Sequence, residues 1–208
     1  MSGKARKIWL LPLTLAAVTL CTSALLMISH TMTKERIAAQ QLQAKLASLK
    51  QLIPADLIDN DLVADAQEIF KPEDLGHREP ETLYIGKQQG QVVVMAVPVT
   101  ARDGYSGDIK LMVGIRNDGT ITAVAIIAHK ETPGLGDLIE SNKSDWLQQF
   151  PGKSLDNPQA AQWRVKKDQG YFDQITAATI TPRAVVAAIK KALDFHQQWL
   201  QQQETTNE

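Results

Sequence analysis

Hydrophobic and polar residues alternate differently in different stretches of this chain. From Ile8 to Ser29 no charged residue occurs, and Leu, Val, Ala, Ile and Met dominate. From Lys34 to Ile53 the apolar positions thin to Ile37, Leu42, Leu46, Leu49 and Ile53, with Gln, Lys and Glu on the other faces. Those spacings are near helical periodicity and predict a helix, which Pro54 ends. Residues 55–80 are acidic and broken by Pro72, Gly76 and Pro80, with a short helical piece expected from Leu62 to Phe70.

Beyond residue 80 strand patterns take over. Leu83-Tyr84-Ile85 leads through a turn from Gly86 to Gly90 into Val92-Val93-Val94-Met95-Ala96-Val97. Ile109 to Ile115 runs into Asn117-Asp118-Gly119, a strong hairpin signal, followed by a strand from Ile121 to Ala128. Direct hairpins imply antiparallel pairing. Asp137 to Phe150 reads as a helix, and strands around Trp163–Val165 and near Ile175 are expected to close the sheet. Thr181-Pro182 then starts a last helix, Thr at the cap and Pro in the first turn, with Val186, Ile189, Leu193 and Leu200 on its apolar face. The Gln- and Glu-rich tail after Leu200 is expected to fray. The fold class is therefore α+β: an N-terminal helix followed by one domain with a mainly antiparallel sheet and flanking helices.

The first apolar run is about 20 residues, enough at roughly 1.5 Å per residue to cross a hydrocarbon core of about 30 Å. Lys4, Arg6 and Lys7 precede it and Trp9 sits at interfacial depth, so the positive-inside rule places the N-terminus in the cytoplasm and the rest across the membrane. The alternative is a cleaved signal peptide. The chain reads Met27-Ile28-Ser29-His30-Thr31 after the run, without a clear small-x-small cleavage site. Bulky Leu20 immediately before Cys21 argues against a lipoprotein.

Composition narrows the chemistry. The net charge is −1 with scattered basic residues, so nothing recruits nucleic acid. Cys21 is the single cysteine, which excludes an internal disulfide and an iron–sulfur cluster held by the chain's own thiolates. The four histidines lack ligand spacing, and no metal site is expected.

The segment Asp173-Gln174-Ile175-Thr176-Ala177-Ala178-Thr179-Ile180-Thr181-Pro182 sets three hydroxyls among alanines ahead of a helix start. On composition alone it is a strand-to-helix turn in which Thr176 or Thr181 caps. It also suits a phosphate esterified to Thr179, because helix N-termini favour anions, and Arg183 could add a charge. A second stretch, His129-Lys130-Glu131-Thr132-Pro133-Gly134-Leu135-Gly136, is a tight connection whose two glycines expose backbone for close approach of a ligand.

The first segment resembles the flavinylation motif of the covalent FMN-binding domain family, Asp-x-x-Ser/Thr-Gly-Ala-Thr. Asp173, Thr176, Ala178 and Thr179 match it position for position, while Ala177 stands where the family usually has Gly. Glu131 to Gly136 and Gly104-Tyr105-Ser106-Gly107-Asp108-Ile109 resemble further signatures of that family. The nearest likeness is to the RnfG family, the G components of Rnf-type ion-translocating electron-transport complexes, including the Rsx branch that reduces the redox sensor SoxR.

The resemblance implies a redox subunit rather than a stand-alone catalyst, with no catalytic residue of its own. FMN would be phosphoester-linked to Thr179, with Thr176, Glu131, Thr132, Gly134 and Gly136 shaping its site. Tyr105 and Trp163 could stack on the ring, although isolated aromatics in strands are more often core. His129 and Lys130 could tune flavin charge, although solvated surface is the simpler reading. The implied partners are the membrane, the other subunits of an Rnf/Rsx-type complex and a flavin transferase for maturation. The implied location is a bacterial inner membrane, with the C-terminal domain periplasmic. The resulting organisation is 1–7 cytoplasmic, 8–29 spanning, 30–80 a helical linker and irregular lead-in, 81–200 the covalent FMN-binding domain, and 201–208 a polar tail. The alternative is a membrane-anchored ligand-binding or assembly module without covalent flavin.

Overall fold

The computed structural model describes residues 12–28 and 48–206, in two compact units divided after Leu46. Residues 12–28 of the first unit are helical, with the large apolar side chains from Leu13 to Ile28 exposed. Thr19 and Thr22 return their hydroxyls to the backbone carbonyls of Leu15 and Val18 at 2.8 and 2.9 Å. Among the described residues no helix is long and apolar enough to cross a membrane. The expected spanning segment 8–29 has its ends outside the described residues, as do residues 1–7 and the part of the expected 34–53 helix before residue 48.

The second unit is built on five antiparallel strands in sequential order: β1 (Gln67–Ile69), β2 (Glu81–Gln88), β3 (Gln91–Gly104), β4 (Gly107–Arg116) and β5 (Ile121–Ala128). Each pairs with the next, as direct hairpins require. Near-continuous burial along β3 and β4 follows from cover on both faces. Met95, Val97, Val99, Leu111 and Val113 face the C-terminal helix, Ile180–Thr206, through Val185, Val186, Ile189 and Leu193. The alternate residues Val94, Ala96 and Met112 join Tyr84 and Ala125 against Leu49, Leu52 and Ile53. The lead-in is thus packed on the second face of the sheet. Past Ala96, β3 bonds instead to the 75–77 segment: Thr100 N–H donates to Leu75 O at 2.8 Å, and the His77 ring lies 2.9 Å from Pro98 O.

Several expected elements differ. Leu62–Phe70 ends in strand β1 rather than continuing a helix, and the turn expected at Gly86–Gly90 shrinks to Gln89-Gly90 because β2 runs on to Gln88. Asp137–Phe150 is not an α-helix but two 3-10 turns, Gly136–Ile139 and Trp146–Gln149. Ser144 breaks it: its hydroxyl donates to Leu138 O at 2.5 Å and accepts Trp146 N–H at 3.1 Å, which competes with helical bonding. The strands expected at Trp163–Val165 and Ile175 are only isolated bridges, Val165 with Phe172 and Ile175 with Ala178. Side-chain packing replaces strand pairing there. Phe172 lies 4.8 Å from Phe150 and 4.6 Å from Trp163, ring centre to ring centre. The last helix begins at Ile180, so Thr179 rather than Thr181 immediately precedes it. It continues through the tail to Thr206, where fraying was expected.

Candidate functional site

Three segments meet at one cavity of about 360 Å³. The β3–β4 hairpin tip contributes Tyr105, the turn after β5 contributes Glu131, Thr132, Leu135 and Gly136, and Ala177 to Thr181 form the third side. The volume falls within the ~300–1,000 Å³ usual for small-molecule sites. Tyr105, Leu135 and Ile180 are exposed apolar groups around it, an arrangement that typically marks a site of contact.

The 131–136 turn is shaped by backbone. Thr132 O accepts N–H bonds from Leu135 and Gly136 at 3.2 and 3.0 Å, and Gly134 takes φ +77°. Glu131 is buried beneath it. One carboxyl oxygen accepts Ser106 N–H at 2.9 Å, and the other accepts the Thr181 hydroxyl.

The 173–179 segment is tied at its start to the aromatic cluster. Trp146 Nε1–H donates to Asp173 O at 2.7 Å, and Asp173 N–H donates to Gln149 Oε1 at 2.7 Å. A turn follows, closed by Ala178 N–H to Ile175 O at 3.2 Å. Ala177, third in that turn, has φ +64°, the left-handed conformation that favours glycine. Thr179 comes next, half-buried at the cavity and immediately before the 27-residue helix. The first helical N–H groups lack intrahelical acceptors and carry partial positive charge.

Of the residues expected to shape the site, Thr179, Glu131, Thr132 and Gly136 line this cavity, while Thr176 and Gly134 do not. Thr176 is exposed on the turn, and Gly134 supports the loop from outside. Tyr105 lines the cavity, but Trp163 is core, donating its indole N–H to Ser154 O and Pro158 O. Arg183 is engaged with Asp168 at 2.5 Å. His129, expected as solvated, is mostly covered and sits 3.0 Å from Glu140. Sequence reasoning missed Ser106 and Thr181 as partners of Glu131. They lie 25 and 50 positions away from it, so no local pattern signals the contact.

The outer wall of the turn is charged. Lys143 bonds Asp137 at 2.8 Å and Glu140 at 2.6 Å. Those bonds hold both carboxyl groups below their ordinary range, against the opposing effect of burial, with His129 adding a smaller contribution at Glu140. Among the described residues no cluster of His, Cys, Asp or Glu is arranged to hold a metal ion.

The residues suit a phosphorylated flat ring system. A threonine hydroxyl stands beside a helix N-terminus for the phosphate, and alanine, leucine, isoleucine and tyrosine side chains offer apolar walls.

Comparison with known proteins agrees with that chemistry. Residues 104–194 match the FMN-binding domain family, and residues 1–52 match the RnfG N-terminal region. The chain is 43% identical to the G component of the ion-translocating oxidoreductase complex of Shewanella oneidensis, over 89% of this chain and 88% of the relative. It is 42% identical to the corresponding component of Vibrio cholerae, over 92% of both chains. It is 41% identical to that of Aliivibrio fischeri, over 91% of both.

Proposed function

The chain belongs to the RnfG family, the G components of ion-translocating oxidoreductase complexes, and from that premise we propose that its FMN is joined through a phosphoester to Thr179. The chain is a flavin-carrying subunit, and FMN is its cofactor. The observation that supports Thr179 as the attachment point is its place on the cavity wall, directly ahead of the helix N-terminus.

The bound flavin supplies reversible electron acceptance and donation. The protein supplies position. Thr179 fixes the phosphate end where the helix start favours negative charge. Leu135, Ile180 and Tyr105 offer apolar contact and shed water, and Thr132 adds a polar group at the wall. In the attachment reaction the Thr179 oxygen bonds to the FMN phosphorus of FAD. The pyrophosphate linkage breaks, AMP leaves, and the hydroxyl proton is released. A separate flavin transferase performs this step, so Thr179 is a tether rather than a nucleophile used at each turnover.

The chain then acts as one redox carrier among the other subunits of an Rnf/Rsx-type membrane complex, which couple electron transfer to ion translocation. Residues 8–29 anchor it, with the N-terminus cytoplasmic and the flavin domain on the far side of a bacterial inner membrane. The exposed apolar side chains of residues 12–28 support that reading, as do the threonine hydroxyls turned back onto their own helix.

The test is co-expression with a flavin transferase, followed by a denaturing gel viewed under ultraviolet light and an intact mass. A fluorescent band with an FMN-sized increment is expected for the native chain and for Thr176→Ala, and no increment for Thr179→Ala. Flavin retained by the Thr179 variant would place the tether elsewhere.

A further inference from the structure

Glu131 does more than line the cavity: its carboxyl group joins three segments remote in sequence. Oε1 accepts Ser106 N–H from the hairpin tip at 2.9 Å, and Oε2 accepts the hydroxyl of Thr181 in the first turn of the C-terminal helix. The residue's own N–H donates to His129 Nδ1 at 3.0 Å. The imidazole proton therefore lies on Nε2, where it is donated to Glu140 at 3.0 Å. Glu131 is thus held from behind while it grips two other segments, and it is only 4% exposed.

The glycines beside it fit the same purpose. A Cβ on Gly104 would stand 3.0 Å from Glu131 Oε1 and 2.2 Å from Gly107 O. One on Gly136 would stand 2.9 Å from Glu131 Cβ and 3.0 Å from both Oε2 and Thr181 Oγ1. Both are tighter than side-chain packing tolerates, so the absence of side chains at 104 and 136 lets the hairpin tip and the turn close on this one carboxyl group.

We propose that Glu131 is a positioning residue for flavin attachment, acting through Thr181 to set Thr179 against the hairpin tip. The proposal rests on the assignment of Thr179 as the acceptor. Thr181 belongs to the rigid first turn, so a bond that fixes it also fixes the residue entering the helix. The clasp is complete in the protein alone, and it organises the acceptor before any flavin arrives. An ångström of misplacement costs about a hundredfold in a well-oriented reaction, so loss of the clasp is expected to be visible as a rate.

The experiment uses the full chain without flavin, presented with FAD and a flavin transferase. The initial rate of the FMN mass increment is measured for the native protein, Glu131→Ala, Glu131→Gln and Thr181→Val. Hydrogen exchange at the Ser106 amide is followed in the same flavin-free proteins. Glutamine keeps an acceptor for Ser106 N–H and can donate to the threonine oxygen, so it restores most of the rate that alanine loses. Glu131→Ala and Thr181→Val each slow attachment by about tenfold or more, and Glu131→Ala also removes protection at Ser106. Native-rate attachment in Thr181→Val overturns the proposal, and so does Glu131→Gln being as slow as Glu131→Ala, which would show that charge rather than position matters. If Glu131→Ala does not fold, the other two variants decide the question. Flavin on Thr179→Ala would instead count against the acceptor assignment, while the Ser106 exchange still reports on the clasp itself.

Discussion

Replacing Ala177 by glycine is expected to stabilise the domain. Ala177 occupies the third position of the Ile175–Ala178 turn at φ +64°, where an L side chain is strained. That conformation costs roughly 1–2 kcal/mol for an L-residue. Glycine removes the strain but gains freedom in the unfolded chain, which takes back about 0.4–1 kcal/mol. Ala177 is exposed, so no packing is lost. The net expectation is a gain of about 1 kcal/mol, or roughly 2–4 °C in Tm for a domain of this size. Thermal unfolding of the flavin-free protein, followed by near-ultraviolet circular dichroism, measures it. Ala178→Gly is the control: Ala178 is buried, so the same change there is expected to lower Tm. Attachment to the adjacent Thr179 should proceed at least as fast in Ala177→Gly. An unchanged or lowered Tm in that variant would refute the strain argument.

Two further expectations follow from burial. His196 is 2% exposed with Nε2 unpartnered among the described residues, and burial pushes its imidazole down to about 4 from 6.5, only partly offset by Asp118. The unfolded chain takes up that proton first, so stability is lost as pH falls from 6.5 to about 4, by on the order of 3 kcal/mol. His196→Leu should flatten the dependence of the urea midpoint on pH in that window, and an unaltered slope would rule out His196 as its source. Gly136→Ala should cost about 1–3 kcal/mol through crowding against Glu131 and Thr181, whereas Gly134→Ala, with open space around it, should cost only the backbone strain of about 1–2 kcal/mol. Chemical denaturation that finds Gly134→Ala the costlier change would reverse the reasoning.

Much of this protein could be read along the chain because the features concerned are local. The Asn117-Asp118-Gly119 turn and its flanking apolar runs foretold a hairpin, and β4 and β5 pair as expected. The order of turn, threonine and helix around Thr179 is likewise a matter of adjacent residues. Even the strain at Ala177 could be anticipated from an alanine standing where glycine is usual. Periodicity failed where side chains outcompeted the backbone. The run from Asp137 to Phe150 carried helical spacing, yet the Ser144 hydroxyl took backbone partners that a helix would have used. Trp163 was expected in a strand but packs against Phe172 in an aromatic core in which isolated bridges suffice.

The sequence by itself determined the β2–β3 and β4–β5 hairpins, the turn chemistry and the candidate acceptor threonine, since each depends on residues within a few positions of one another. It did not show β1 or the sheet's true edges. Only the tertiary structure decided that Ser106, Glu131 and Thr181 share one buried carboxyl group, and that Thr176 lies off the cavity. Hydrogen bonds across 25 and 50 residues leave no periodic trace in a chain. They arise because the sheet and the C-terminal helix, packed face to face, bring the hairpin tip and the first helical turn within reach of Glu131.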